Sequence, residues 1–404
     1  MTIDLEALYV DLHRHPELSF QETRTASVVA AHLRELGLDV EEGVGGTGVV
    51  GMLRNGDGPV VWMRADMDAL PVEEQTGLSY ASTATGTGAS GIEVPVMHAC
   101  GHDMHVTAMI GAVEGLVVGR ATWRGTVVVL FQPAEEIGAG ARAMLDDGVL
   151  ERYPAPAVVL GQHVTPLPAG VVGLRPGVQM SASDALTVTL RGRGGHGSRP
   201  HSTVDPVVMA ASTVMRLQTV VSREIDPREV AVVTVGSMHA GRTNNVIPGE
   251  ATLELSLRYS DDALRAKVLS GVERIVRAEA MASAADIEPD IRIDHTLPAT
   301  INDEASAARV AAALRRALGE DRVIDPGMSA GSEDVSWFAR DAGTSLVFWF
   351  WGGSDPVKWA EAEAAGAIDR DIAVNHSSSF APVIHPTIEV GVTALVAAAR
   401  EFLR

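Results

Sequence analysis

Cysteine is almost absent from this chain: Cys100 is the only one in 404 residues. That excludes an internal disulfide framework and suits a reducing compartment, so a cytoplasmic setting is expected. Aromatic residues are scarce at 4%, so Ala, Val and Leu must fill the cores that a 46% hydrophobic composition allows. Positive charge is short as well: 32 Lys and Arg face 52 Asp and Glu, a formal net charge of −20. Phosphate contacts need clustered Lys and Arg, so this balance argues against a nucleic-acid or anionic-membrane partner. An anionic small molecule would need a local arginine. No apolar run approaches the roughly 18–20 residues of a membrane-spanning helix. The opening MTIDLEALYVDLHRHPEL lacks a basic segment followed by an apolar one, so no signal peptide is expected.

What is present is a long chain with strong periodicity. Its length predicts two domains. Gln21–Gly37 and Val106–Val118 place apolar residues at helical spacing, whereas PVVWMRAD (Pro59–Asp66), GTVVVLFQP (Gly125–Pro133) and APAVVLGQH (Ala155–His163) are short apolar runs that predict buried strands. Strands alternating with helices imply a parallel sheet covered on both faces. The pattern changes near residue 184. From there the order is strand, helix (206–219), strand (229–237), strand (250–259), helix (261–281) and strand (290–295), a split βαβ sandwich. A helix at 304–318, the apolar strand TSLVFWFWG (Thr344–Gly352) and a helix at 389–403 complete the first pattern. The expected fold class is α/β: a discontinuous parallel-sheet catalytic domain with helices on both faces (1–183 and 296–404) and an inserted α+β lid domain (184–295).

Ligands of open parallel sheets bind beyond the carboxyl ends of the strands. Five segments reach that edge. The strand through Arg64 is followed by Asp66 and Asp68, and the strand through Phe131 by Glu135 and Glu136. Ala157–Gly161 leads to His163. HACGHDMH carries Cys100 and His102 just before a helix, and His376 follows the Thr344–Gly352 strand. HACGHDMH alone is balanced between a polar loop and a metal site, and each other segment alone reads more simply as a loop, a cap or a helix start; their convergence on one edge is what points to a site. Thiolate, imidazole and carboxylate together suit a borderline-soft divalent cation such as zinc, with nickel, cobalt or manganese as alternatives. Adjacent glutamates diverge, so one can bind a cation while its neighbour takes a proton from water. A cysteine nucleophile at Cys100 is the competing chemistry.

LHRHPELSFQETRTA, MRADMDALP, MHACGHDMH, FQPAEE, GQHV, GGHGSRPH, TNNVIPGEATLELSLR, SAGSEDVSWF and NHSSSFAP occur in order along nearly the whole chain. Together they resemble the metal-dependent aminoacylase, hippurate hydrolase and indole-acetyl-amino-acid hydrolase family, within the clan of co-catalytic metallopeptidases. The resemblance implies a dinuclear metal amidase acting on N-acyl amino acids, with a lid domain that forms a homodimer. It implies metal ligation by Cys100, His102, Glu136, His163 and His376, a general base at Glu135, and an orienting carboxylate at Asp68. In the lid it implies carbonyl polarisation by His196 and substrate contacts from Asn245 and Arg258. The chain departs from many peptidases of the clan, which carry His-x-Asp where Asp66-Met67-Asp68 stands and a metal-bridging Asp where Cys100 and His102 stand. A dipeptidase or carboxypeptidase on the same scaffold is the alternative activity. His98 and His105 are expected to be supporting or surface residues.

Overall fold

The structure is a computed structural model and describes residues 3–403. In chain order, α1 (Leu5–Arg14) and α2 (Thr23–Glu35) lead into β1 (Asp39–Val44), β2 (Gly48–Asn55) and β3 (Val60–Asp66). Then come α3 (His102–Val118), β4 (Gly125–Gln132), β5 (Val158–Pro168) and the short β6 (Val172–Gly173). Next are β7 (Ala182–Arg191), α4 (Pro206–Thr219), β8 (Ala231–Ala240), β9 (Glu250–Tyr259), α5 (Asp262–Ala282) and β10 (Asp290–Leu297). The chain finishes through α6 (Glu304–Leu318), β11 (Val323–Ile324), β12 (Ser345–Ser354) and α7 (Ile384–Phe402). It divides into two compact units. One runs through Gln179 and resumes at Thr300–Met328 and from Asp334 onward; the other is Met180–Ala299 with Ser329–Glu333.

The first unit is built on an eight-stranded sheet in the order β1-β2-β4-β3-β5-β12-β6-β11. Its centre, β4-β3-β5-β12, is parallel. The margins are not: β1, β2 and β4 pair antiparallel, as do β12 and β6. The sheet is therefore mixed, with the expected parallel strands at its centre. The acidic DVEEGV of β1 carries no apolar run to announce a strand, because as an edge strand it is largely exposed. The centre is legible because it is buried on both faces, so its strands are continuous apolar runs. Val61, Met63 and Ala65 of β3 join Val127, Val129, Phe131, Leu160 and Trp349 in one core with α3 and α7. Trp62 and Arg64 alternate to the opposite face and are buried there. Helix α3 is buried around nearly its whole circumference, which explains why its apolar residues are not confined to one face.

The second unit has a four-stranded antiparallel sheet in the order β8-β9-β7-β10. Alternate residues of β7 and β9 are buried, so one face meets water. Leu186, Val188, Leu190, Leu253, Leu255 and Leu257 pack with Met209 and Leu217 of α4 and Val268 and Ile275 of α5. Both helices start on aspartate caps. Asp205 accepts from the Val207 N–H ahead of Pro206, and Asp261 from that of Leu264. The segment Ser329–Glu333 is attached here by a bridge from Ser329 to Met180 and by the Ser181 hydroxyl donating to the carbonyls of Ala330 and Gly331.

Arg64 is the charged residue that the strand pattern hides. Among the described residues it is the only buried Lys or Arg. Its guanidinium donates to Asp66 at 2.6 Å, Asp334 at 2.9 Å and Gln132 at 2.8 Å. Asp334 also accepts from Gln132 and from the Ala141 N–H. Breaking such a pair strands buried carboxylates, at a cost of roughly 3–5 kcal/mol. Arg64→Met should therefore lower the unfolding midpoint steeply, and adding Asp334→Asn should recover part of the loss. A near-wild-type midpoint for Arg64→Met would refute this account.

Candidate metal centre

The donors stand where the strands and one helix deliver them. Gly101 caps α3 with φ 84°, and a Cβ there would lie 2.5 Å from Val164 Cγ1. Glycine is therefore needed on two counts to seat Cys100 and His102 against β5. Glu135 and Glu136 follow β4 after Ala134, a non-glycine residue at φ 50°. His163 lies inside β5 rather than at its end, because β12 runs alongside it: His163 is level with Phe350 and the pairing continues through Thr165 and Gly352. His376 occupies a turn with φ 71°.

These side chains converge. Ligand atoms of Cys100, His102 and Glu136 all lie within 4.8 Å of one another. His163 Nε2 is 3.3 Å from Cys100 Sγ, and His376 Nε2 is 3.3 Å from Glu136. Glu135 approaches His102 Nε2 at 4.0 Å. Asp68 accepts from His102 Nδ1 at 3.2 Å, from the Glu136 N–H at 3.0 Å and from the Ser19 hydroxyl at 2.7 Å. In the neutral ring that bond places the His102 proton on Nδ1 and leaves the Nε2 lone pair facing the cluster. His163 donates from Nδ1 to the Val164 carbonyl, which leaves its Nε2 likewise available.

The cluster fits a divalent cation. His102 Nε2 and Glu136 Oε1 are buried with no hydrogen-bond partner, an arrangement that is costly unless a ligand satisfies them. Burial pushes the Cys100 thiol up, with Glu136 and Glu135 adding to it. Burial also pushes Glu136 up to about 8, opposed by His102 and reinforced by Asp68 and Asp66. Burial disfavours a charged His102, yet Asp66, the hydrogen bond to Asp68 and Glu136 raise it to about 10. A thiol and a carboxyl held protonated in this way give up their protons when a cation binds.

Asp66, His102, His105 and His163 form a second group within ligand-atom reach. In two of its members, Asp66 and His105, hydrogen bonds already use up the ligand atoms. His105 pairs through Nδ1 with Asp66, and its Nε2 accepts from the Val164 N–H at 2.9 Å. Asp66 is shared between His105 and Arg64. This group reads as the support behind the donors. His105 and His98 are both buried, so neither is the surface residue that the loop HACGHDMH allowed. Burial holds His98 down near a pKa of about 4. Polar residues in apolar strands and helices, such as Arg64 and His105, were the available signal.

A further buried carboxylate stands behind the glutamate turn. Glu22 accepts from the Ala134 N–H at 2.8 Å and from the Thr47 hydroxyl at 2.5 Å. It thus props the left-handed Ala134 that aims Glu135 and Glu136. Burial raises its pKa to about 7, against the lowering bond from Thr47 and with help from Asp68.

In the second unit, His196 is exposed in the pair of short strands Gly195–His196 and Val246–Ile247. The Ser198 N–H donates to its Nδ1 at 3.1 Å, so the ring proton sits on Nε2 and is free to be donated. The Asn245 carbonyl accepts from the Gly197 N–H at 2.8 Å, tying Asn245 to the same turn. Arg258 sits elsewhere in that unit, opposite Ser183 and Val232, and donates to the Ala330 carbonyl at 2.7 Å and the Ser332 hydroxyl at 2.9 Å.

Thiol, imidazole and carboxylate donors at the carboxyl edge of a parallel-centred sheet define a candidate divalent-metal centre in an α/β protein. Residues 62–373 match peptidase family M20/M25/M40. The chain is 36% identical over 339 residues to N-acetyl-L-cysteine deacetylase of Bacillus subtilis, covering 83% of this chain and 78% of that one. It is 37% identical over 340 residues to hippurate hydrolase of Campylobacter jejuni, covering 83% and 85%. The crystal structure of the Bacillus subtilis YXEP protein, described as a dinuclear metal-binding peptidase of the M20 family, superposes with a TM-score of 0.79 at 29% identity, covering 99% of this chain and 97% of that one. The chain belongs to peptidase family M20/M25/M40.

Glu22 gives this centre a measurable pH dependence. Its folded pKa of about 7 lies above the ordinary carboxylate value of 4.5, so protonation favours the fold. That stabilisation is complete below about pH 4.5 and is lost as pH rises to about 7. Glu22→Gln keeps an acceptor for Ala134 without the buried charge. The variant should gain stability over wild type through that window and hold a plateau above it, amounting to roughly 2–4 kcal/mol. A stability difference that does not change with pH would exclude this titration.

Proposed function

We propose that the protein is a metal-dependent amidohydrolase that cleaves the amide bond of N-acyl amino acids, releasing a carboxylic acid and a free amino acid. The observation that carries this reading is the buried donor set of Cys100, His102 and Glu136, with unsatisfied atoms beside Glu135. The names of the two enzyme relatives support the substrate class. Cys100, His102, Glu136, His163 and His376 hold two divalent cations per subunit, zinc foremost, with manganese, cobalt or nickel as alternatives. When bound, the cation supplies a Lewis acid that polarises the scissile carbonyl and acidifies water.

The protein's own residues do the rest. Glu135 takes a proton from the attacking water as its oxygen bonds to the acyl carbon, and returns that proton to the nitrogen as the C–N bond breaks. Asp68 keeps the proton of His102 on Nδ1 throughout. The 184–295 segment acts as the lid: His196 donates its Nε2 proton toward the developing oxyanion, Asn245 contacts the substrate, and Arg258 holds the substrate carboxylate. A cysteine nucleophile is disfavoured because burial and neighbouring carboxylates keep the Cys100 thiol protonated unless a cation binds it.

A homodimer forms through the second unit. Its strand β8 is an edge strand with exposed Val232 and Met238, and the adjoining α4 presents Val208, 63% exposed, and Met215, 74% exposed. A cytoplasmic setting suits the single buried thiol. Among the described residues no helix is long and apolar enough to cross a membrane.

Glu135→Gln should fold and retain metal but lose turnover by about 10²–10⁴-fold; a residual rate above a few per cent of wild type sinks the assigned role. Chelation should abolish hydrolysis of N-acetyl amino acids and hippurate, and added zinc or manganese should restore it. Activity that survives chelation points to Cys100 as nucleophile, and faster turnover of dipeptides than of N-acyl amino acids points to a peptidase. Val208→Asp with Met215→Glu should convert the dimer to a monomer in light scattering, whereas an unchanged mass places the interface elsewhere.

A further inference from the structure

One carboxamide reaches three of the four chain segments that bring the donors together. Asn375 directs its Nδ2 at the Cys100 carbonyl and at the Val164 carbonyl, both at 3.1 Å, with Cys100 Sγ at 3.9 Å. A primary amide carries two hydrogens, and here two carbonyl oxygens receive them. Because both neighbours are acceptors only, the nitrogen rather than the oxygen must face them.

Each contact bears on a donor. The Cys100 carbonyl belongs to the residue that carries the thiol. The Val164 carbonyl also accepts from His163 Nδ1 at 2.7 Å, so Asn375 and His163 share one oxygen. Moving that oxygen would turn the imidazole. Asn375 itself precedes His376, whose φ of 71° is an unfavourable conformation for a side-chain-bearing residue. The His376 N–H donates to the Ala99 carbonyl at 2.8 Å, one residue before Cys100, and completes the stitch. The segments bearing Cys100, His163 and His376 are thus fixed by one neutral side chain together with one backbone bond.

We infer that Asn375 is a positioning residue that sets the spacing and orientation of Cys100, His163 and His376 for cation binding. The inference rests on the metal-hydrolase reading above. A neutral donor suits the task, since a cation there would oppose the metal and a carboxylate would repel both carbonyls. Partners of metal ligands typically contribute about 10–100-fold in affinity.

The test compares wild type with Asn375→Ala and Asn375→Asp. Each protein is stripped of metal, checked for folding by circular dichroism and thermal unfolding, then titrated with zinc against a chromophoric chelator. Each is also loaded with cobalt to read the thiolate-to-cobalt charge-transfer absorption. Both variants should fold without metal, bind zinc about 10–100-fold more weakly, and show a shifted or weakened charge-transfer band at saturating cobalt. Wild-type affinity and an unchanged band in both variants overturn the inference. Failure of both variants to fold without metal also overturns it, because Asn375 would then serve the fold rather than the donors. Wild type lacking the thiolate band altogether instead sinks the metal-hydrolase reading, so the two failures are distinct.

Discussion

The structure turns on one electrostatic constraint: the first unit buries acidic groups around a single point, with Arg64 and His102 set among them. Asp66, Asp68, Glu135 and Asp334 are buried there, and Glu136 stands among them, while Arg64 is the only buried Lys or Arg among the described residues. Buried charge is tolerated only when paired. Arg64 accounts for the side of the cluster at Asp66 and Asp334. The other side carries Cys100, Glu136 and His102, with His102 Nε2 and Glu136 Oε1 buried without hydrogen-bond partners, and a divalent cation is what this donor set fits. The mixed sheet follows the same need. Its parallel centre brings the ends of β3 and β4 and the middle of β5 to one edge, and the antiparallel margins enclose that centre without adding donors.

The sequence displayed the side chains that cluster and concealed what holds them. Cys100, His102, Glu135 and Glu136 were readable because each follows a strand or opens a helix within a short motif, and strand ends are where an open sheet places ligands. His163 was readable by type, although the strand continues past it. Glu22, Asn375 and the Arg64–Asp334 pair were not readable. Their work consists of hydrogen bonds across 112, 211 and 270 residues of chain, which no local pattern encodes. His105 sits between these cases. Its place on a buried helix was predictable, but its pairing with Asp66 depends on how α3 meets β3.

The second unit shows a different limit. Its strand and helix order was legible because alternating burial in β7 and β9 leaves a plain period of two. Whether His196, Asn245 and Arg258 carry chemistry was not, since glycine-rich turns and strand ends look alike either way. What the structure adds is the state of each group. Ser198 fixes His196 as a donor at Nε2, and Asn245 is stitched to the same turn. Arg258 is partly engaged by Ala330 and Ser332, so any carboxylate it holds must share the guanidinium with them.

Two hubs therefore divide the work of shaping the donors, and their charges differ for a reason. Asp68 accepts from Ser19, the Glu136 N–H and His102 Nδ1, joining four segments through one carboxyl group. A negative partner on Nδ1 raises the basicity of Nε2 and strengthens that donor. Asn375 is neutral and touches carbonyl oxygens, where a charge of either sign would be unfavourable. Basicity is thus supplied at the histidine through a carboxylate, and geometry at the thiol and at His163 through an amide. Neither hub needs to contact the substrate, so the chemistry assigned to Glu135 can be tuned from behind without altering what enters the site.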